Sequence, residues 1–167
     1  MEESWQERIL SASGSPDVFL REKQLRFIGE GITDITPLAH CREVRELILS
    51  ANELESIEAL RDCPQLKQAK SLKELEVSGL DREQLCSLAE LASLEKLTLV
   101  GLASGAEESV ELLGQLVNLR TLELEEVSLS NLEFLRNCPN LQRVKLKDSS
   151  IQDASALAKT ATAFFTS

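Results

Sequence analysis

Between Leu119 and Leu141 the apolar residues fall at Leu119, Leu122, Leu124, Val127, Leu129, Leu132, Leu135 and Cys138, and Leu141 begins the pattern again. The alternation Leu122-x-Leu124 predicts a short strand, because strand side chains change face at every residue. The steps of three at Leu129, Leu132, Leu135 and Cys138 predict a return in loose 3₁₀ or helical coil. A strand that regains the same register every 22 residues stacks beside its predecessor and builds a solenoid.

Six repeat starts align, at Glu22, Val44, Leu72, Leu94, Leu119 and Leu141. They predict strand pairs Leu25/Phe27, Leu47/Leu49, Leu75/Val77, Leu97/Leu99, Leu122/Leu124 and Val144/Leu146. The expected returns are Ile35/Leu38/Cys41, Ile57/Leu60/Cys63, Leu85/Leu88/Leu91, Val110/Leu113/Leu116 and Leu132/Leu135/Cys138. The expected fold is α/β, about six coils with a parallel concave sheet and 3₁₀ or helical convex returns, capped by terminal helices. The boundaries are 1–21 for an N-terminal capping helix and turn, 22–157 for the repeats, and 158–167 for a helical tail. The cap rests on Ser4-Trp5-Gln6-Glu7, a capping-box pattern, and on Trp5, Ile9 and Ala12 sharing one face. Ser13-Gly14-Ser15-Pro16-Asp17 then reads as a turn. At the other end, Ala-rich Asp153–Phe165 reads as helix covering the last coil. Surplus residues at 67–71 and 103–106 lengthen two junctions and read as surface loops. The turn asparagine common in such coils stands only at Asn52, so most turns must satisfy their backbone by other means.

This pattern resembles the leucine-rich repeat, LxxLxLxx(N/C)xL with a period of about 20–29 residues. The 22-residue repeat with ends such as Leu60-Arg61-Asp62-Cys63-Pro64-Gln65-Leu66 and Leu135-Arg136-Asn137-Cys138-Pro139-Asn140-Leu141 resembles the intracellular type of protein phosphatase 1 regulators. Ser15-Pro16-Asp17-Val18 and Ser71-Leu72-Lys73-Glu74-Leu75-Glu76-Val77-Ser78 are similar to the opening of the acidic leucine-rich nuclear phosphoproteins. The resemblance implies cytoplasmic or nuclear binding of basic proteins such as histones, or of phosphatases.

Composition narrows the reading. Of 167 residues 43% are hydrophobic but only 4% aromatic, so leucine carries the burial, as suits a narrow solenoid. The net charge of −10 argues against a nucleic-acid ligand, which needs clustered Lys and Arg. No apolar run reaches the roughly 18–20 residues that span a bilayer, and the acidic start carries no export signal. Cys41, Cys63 and Cys138 share one inward slot with Leu91 and Leu116, which implies buried thiols in a reducing, intracellular compartment. Neither these thiols nor the single His40 has the spacing of a metal or nucleophile site.

Strand alternation turns a second set of residues outward onto the concave face. The candidate protein-binding residues there are Glu46, Ile48, Glu74, Glu76, Thr98, Val100, Glu123, Glu125 and Lys145. Two features are expected of this face: an apolar island of Ile28, Ile48 and Val100, and segregated charge. Glu46, Glu74, Glu76, Glu123, Glu125 and Glu126 would lie mid-face, with Arg143, Lys145 and Lys147 at the C-terminal end. Paired carboxylates such as Glu123 and Glu125 sit on an open face with nothing to shift a pKa, so no catalytic residue, cofactor or metal is assigned. The function expected is a monomeric, non-catalytic scaffold or regulator binding another protein through a basic segment, with no nucleic acid and no membrane. The alternatives are a substrate-recognition subunit of a ubiquitin ligase or phosphatase complex, and a spacer docking through Trp5 or Phe164-Phe165.

Overall fold

The computed structural model describes residues 23–36, 38, 43–62, 72–159 and 163–166. The N-terminal cap, His40, Cys41, Cys63 and the surplus at 67–71 lie outside the described residues.

The leucine pairs set the sheet. Strands β1 (Gln24–Arg26), β2 (Glu46–Ile48), β3 (Glu74–Leu80), β4 (Lys96–Leu102), β5 (Thr121–Glu125) and β7 (Arg143–Lys147) lie side by side and parallel. Leu25, Leu47, Leu75, Leu97, Leu122 and Val144 stand opposite one another along one row. Val77, Leu99, Leu124 and Leu146 form the next. A slip of one residue would turn every leucine outward, so burial of the row enforces this register. All of these side chains are buried, and they join the returns in one continuous core.

The returns are short and mixed. They comprise α1 (Glu58–Asp62), α2 (Arg82–Ala89) and the 3₁₀ helices η1 (Glu107–Gln115), η2 (Glu133–Asn137) and η3 (Ser155–Lys159). Ile35, Leu38, Ile57, Leu60, Leu85, Leu88, Val110, Leu113, Leu132 and Leu135 are buried, as their three-residue steps predict. Cys138 is 4% exposed and burial raises its thiol pKa, which keeps the sulfur protonated and inert. Phe134, which the step of three passes over, is also in the core. The surplus at 103–106 is a tight turn rather than a free loop: Ala103 N donates to Leu80 O, Ala106 N to Ala103 O, and Ala106 is fully buried.

Three sets of residues shape each coil beyond its leucines. The eighth position of every coil has a left-handed backbone: Gly29, Ala51, Gly79, Gly101, Glu126 and Asp148 have φ of 65°, 58°, 65°, 66°, 54° and 49°. This corner ends the inward–outward alternation and starts the descent toward the convex side. Entry into the returns is capped by Asp34, Ser56, Asn131 and Asp153, whose side-chain oxygens accept from the amides of Thr36, Glu58, Glu133 and Ser155 at 2.8, 3.0, 2.9 and 2.8 Å. Asp81 and Gln84 close a full capping box on α2. At the start of the strands Asn118 Nδ2 donates to Ala92 O and Asn140 Nδ2 to Val117 O, both at 2.8 Å, tying each coil to the one before.

Asn52 does what its solitary place implied. Its Oδ1 accepts from Glu30 N at 3.0 Å and Ile32 N at 3.1 Å, while Nδ2 donates to Phe27 O and Leu49 O at 2.8 Å. Ser149 substitutes for it farther along, donating to Leu124 O at 3.1 Å and accepting from Val127 N at 3.2 Å. In these last coils a second, two-stranded sheet forms from β6 (Ser128–Asn131) and β8 (Ser150–Asp153).

The C-terminus departs from expectation. In place of helix over Asp153–Phe165, η3 is followed by strand β9 (Ala163–Thr166), which pairs parallel with β7. The open edge of β7 offers unpaired backbone groups, and satisfying them outweighs the modest helix propensity of a short alanine-rich segment. No helix among the described residues is long and apolar enough to cross a membrane.

Candidate protein-binding face

The alternation that buries the leucines lifts three rows of side chains onto the open face of the sheet. The first runs Gln24, Glu46, Glu74, Lys96, Thr121, Arg143, and the second Arg26, Ile48, Glu76, Thr98, Glu123, Lys145. In the third, Ser78, Val100, Glu125 and Lys147 stand opposite one another. Ile28 continues this row at its N-terminal end, held opposite Ser50 by bonds from Phe27 N to Ile48 O (2.8 Å) and from Gly29 N to Ser50 O (3.2 Å). All nine candidate residues therefore lie on one surface.

The register changes what the surface carries. Lys145 Nζ donates to Glu123 Oε1 at 2.7 Å and Lys147 Nζ to Glu125 Oε2 at 3.0 Å, so the end coils neutralise one another. Glu125 in turn raises the pKa of Lys147 through that bond. Lys96 stands 3.7 Å from Glu74 and 3.9 Å from Glu123, and the Glu123 side chain is only 15% exposed. The segregation expected from the sequence is thus partly cancelled, because strands 22 residues apart set glutamate beside lysine. Glu126 occupies the left-handed corner and leaves the face.

Glu46 and Glu76 are held differently. Gln24 Nε2 donates to Glu46 Oε2 at 2.7 Å, and Ser50 Oγ donates to Glu76 Oε1 at 2.6 Å. These neutral donors orient the carboxylates, and no cation among the described residues is paired with either.

The apolar island divides. Ile28 is 44% exposed and lies diagonal to Ile48, whereas Val100 belongs to the third row beyond Ser50 and Ser78. At a strand spacing of about 4.8 Å, Val100 lies roughly 14 Å from Ile28. A shallow notch forms instead around Ile48, walled by Glu46, Glu74, Glu76, Lys96 and Thr98.

The sheet's lower edge carries a second polar strip, which the sequence pattern did not bring out. Lys73 and Arg120 flank Glu95, the first by a direct hydrogen bond and the second at 3.6 Å, and together they hold the Glu95 carboxyl below the usual carboxylate range. Residues directly before and after each repeat start form it, so a reading confined to leucines passes over them.

No family model matches the chain, and no curated protein matches it. Among solved structures it is similar to internalin C2 of Listeria monocytogenes, at a TM-score of 0.56 and 21% identity over 99% of this chain and 93% of that one. The fold is a leucine-rich repeat solenoid. A second internalin of the same organism, internalin F, aligns at a TM-score of 0.47 and 16% identity over 98% of this chain and 68% of that one.

Proposed function

We propose that this leucine-rich repeat protein is a non-catalytic, monomeric binding scaffold or regulator that presents its concave sheet to another protein. The observation that carries this reading is the cross-linked order of the face. Side chains of successive coils already hold one another, Gln24 to Glu46, Ser50 to Glu76, Lys145 to Glu123 and Lys147 to Glu125. A surface whose rotamers are set before contact loses little entropy on binding, and an extended sheet is the part of a solenoid suited to that use.

In this reading Glu46, Glu74 and Glu76 attract a basic segment, Ile48 and Val100 give dry contact, Thr98 is buried between them, and Glu123 and Glu125, paired with Lys145 and Lys147, form a neutral, rigid shoulder. The protein acts inside the cell, where the buried thiol of Cys138 remains reduced. The repeat ends that resemble those of phosphatase regulators and acidic nuclear phosphoproteins favour the same placement.

The test is affinity capture with three baits: the wild type, Ser78→Arg/Val100→Arg on the concave face, and Glu111→Arg on the convex return. Circular dichroism and thermal melts establish that each is folded. Partners lost only by the concave double variant support the proposal. Equal capture by all three baits overturns it and moves attention to the termini.

A further inference from the structure

We propose that the notch around Ile48 is an arginine-binding site, which takes a single arginine side chain from an extended, basic segment of the partner. This deepens the binding reading above and rests on it. The notch covers a patch three strands wide and two outward residues long: Glu46, Glu74 and Lys96 in one row, Ile48, Glu76 and Thr98 in the next. At ordinary strand spacing this is about 10 Å across, the scale of one long side chain.

Four observations select a guanidinium. First, the carboxylates of Glu46 and Glu76 are anchored by Gln24 and Ser50, both uncharged, and no described cation is paired with either, unlike Glu123 and Glu125. Second, Lys96 is the one described cation in the notch, and its ion pairs, at 3.7 Å with Glu74 and 3.9 Å with Glu123, are long and include neither Glu46 nor Glu76. Third, Thr98 is only 6% exposed, and its side chain has no hydrogen bond among the described residues. No fully buried side-chain oxygen among the described residues lacks a partner, so the Thr98 hydroxyl keeps some access to water, and Thr98 lines the notch, where it can serve as an acceptor. Fourth, the floor is Ile48, which suits the aliphatic stem of a long cationic side chain. Acceptors on more than one side favour arginine over lysine, because a planar fork of five donors serves several oxygens at once where an ammonium acts as a point charge.

The experiment is a titration of the full-length, methyl- and ¹⁵N-labelled protein with N-acetyl-arginine methylamide, followed by NMR. The lysine and norleucine analogues are titrated in parallel. The expected result is saturable shifts at the Ile48 methyl groups and the Thr98 amide for arginine, weaker binding of lysine and none of norleucine. Glu76→Gln keeps the oxygen that accepts from Ser50, so the fold is retained, and it should weaken arginine binding about tenfold. Lys96→Gln removes the resident competitor and should strengthen it about two- to threefold. Shifts that do not saturate, equal response to norleucine or lysine, or no effect of Glu76→Gln would each overturn the proposal. A face that still captures its partner through Ser78 and Val100 while the arginine titration is blank rejects the notch alone and leaves the binding role standing.

Discussion

The corner at the eighth position of each coil makes the sharpest prediction about stability. Six successive coils turn there through a left-handed backbone, and three use glycine while Ala51, Glu126 and Asp148 do not. A side chain in that conformation costs about 1–2 kcal/mol, because its Cβ crowds the following carbonyl. Glycine avoids this but loses more freedom on folding, worth about 0.5–1 kcal/mol in the opposite direction. The net effect of exchanging the two is about 0.5–1 kcal/mol, with a sign set by which residue is native. Gly101 gives a clean case, since a Cβ built on it meets nothing within 4 Å and only the backbone cost remains. Gly101→Ala should therefore destabilise by about that amount, and Ala51→Gly should stabilise by a similar one. In a protein of this size 1 kcal/mol moves the melting temperature by about 2–4 °C. Urea unfolding monitored by circular dichroism, with unchanged slope, measures both. If Gly101→Ala is neutral, or if both substitutions shift stability in the same direction, the left-handed corner is not what closes the coils.

Three further outcomes follow from named contacts. Asn52→Ala removes the acceptor of Glu30 N and of the buried Ile32 N together with the donor to Phe27 O and Leu49 O, and should cost about 2–4 kcal/mol in urea unfolding. Glu95 has its pKa lowered in the folded state, first by the hydrogen bond from Lys73. Its contribution is therefore present above the unfolded value of 4.5 and is lost as the pH falls through the folded value. Glu95→Gln should flatten that part of the acid limb in a melting-temperature profile, with little difference from wild type at high salt. Ending the chain after Lys159 removes β9 and uncovers the edge of β7. Sedimentation should then show concentration-dependent self-association that the full chain lacks.

The solenoid was legible because its leucines report burial directly: Leu25, Leu47, Leu75, Leu97 and Leu122 could share a row only if their strands paired in register. The corners were not, since Ala51, Glu126 and Asp148 give no sign in hydropathy of a positive φ; only aligning them with Gly29, Gly79 and Gly101 does so. The capping set of Asp34, Ser56, Asn131 and Asp153 was written just before four of the returns and was passed over for the same reason. At the C-terminus the alanines spoke for helix, while the decisive fact was the open edge of β7, which no local pattern contains. On the concave face alternation placed the outward residues of the strands, but it also put Glu126 there, which the left-handed corner removes. Their charges could not be summed as a list, because the register sets Lys145 and Lys147 against Glu123 and Glu125 and leaves Glu46 and Glu76 with neutral partners.

The most direct test of concave-face binding is site-specific photocrosslinking in cells of origin. A photoreactive phenylalanine would be placed at Ser78, amid the concave rows, and in a separate protein at the exposed Glu111 on the convex return. The account predicts a discrete adduct from Ser78, lost when Glu76 is changed to Gln, and none from Glu111. An adduct from Glu111 with none from Ser78 would contradict it.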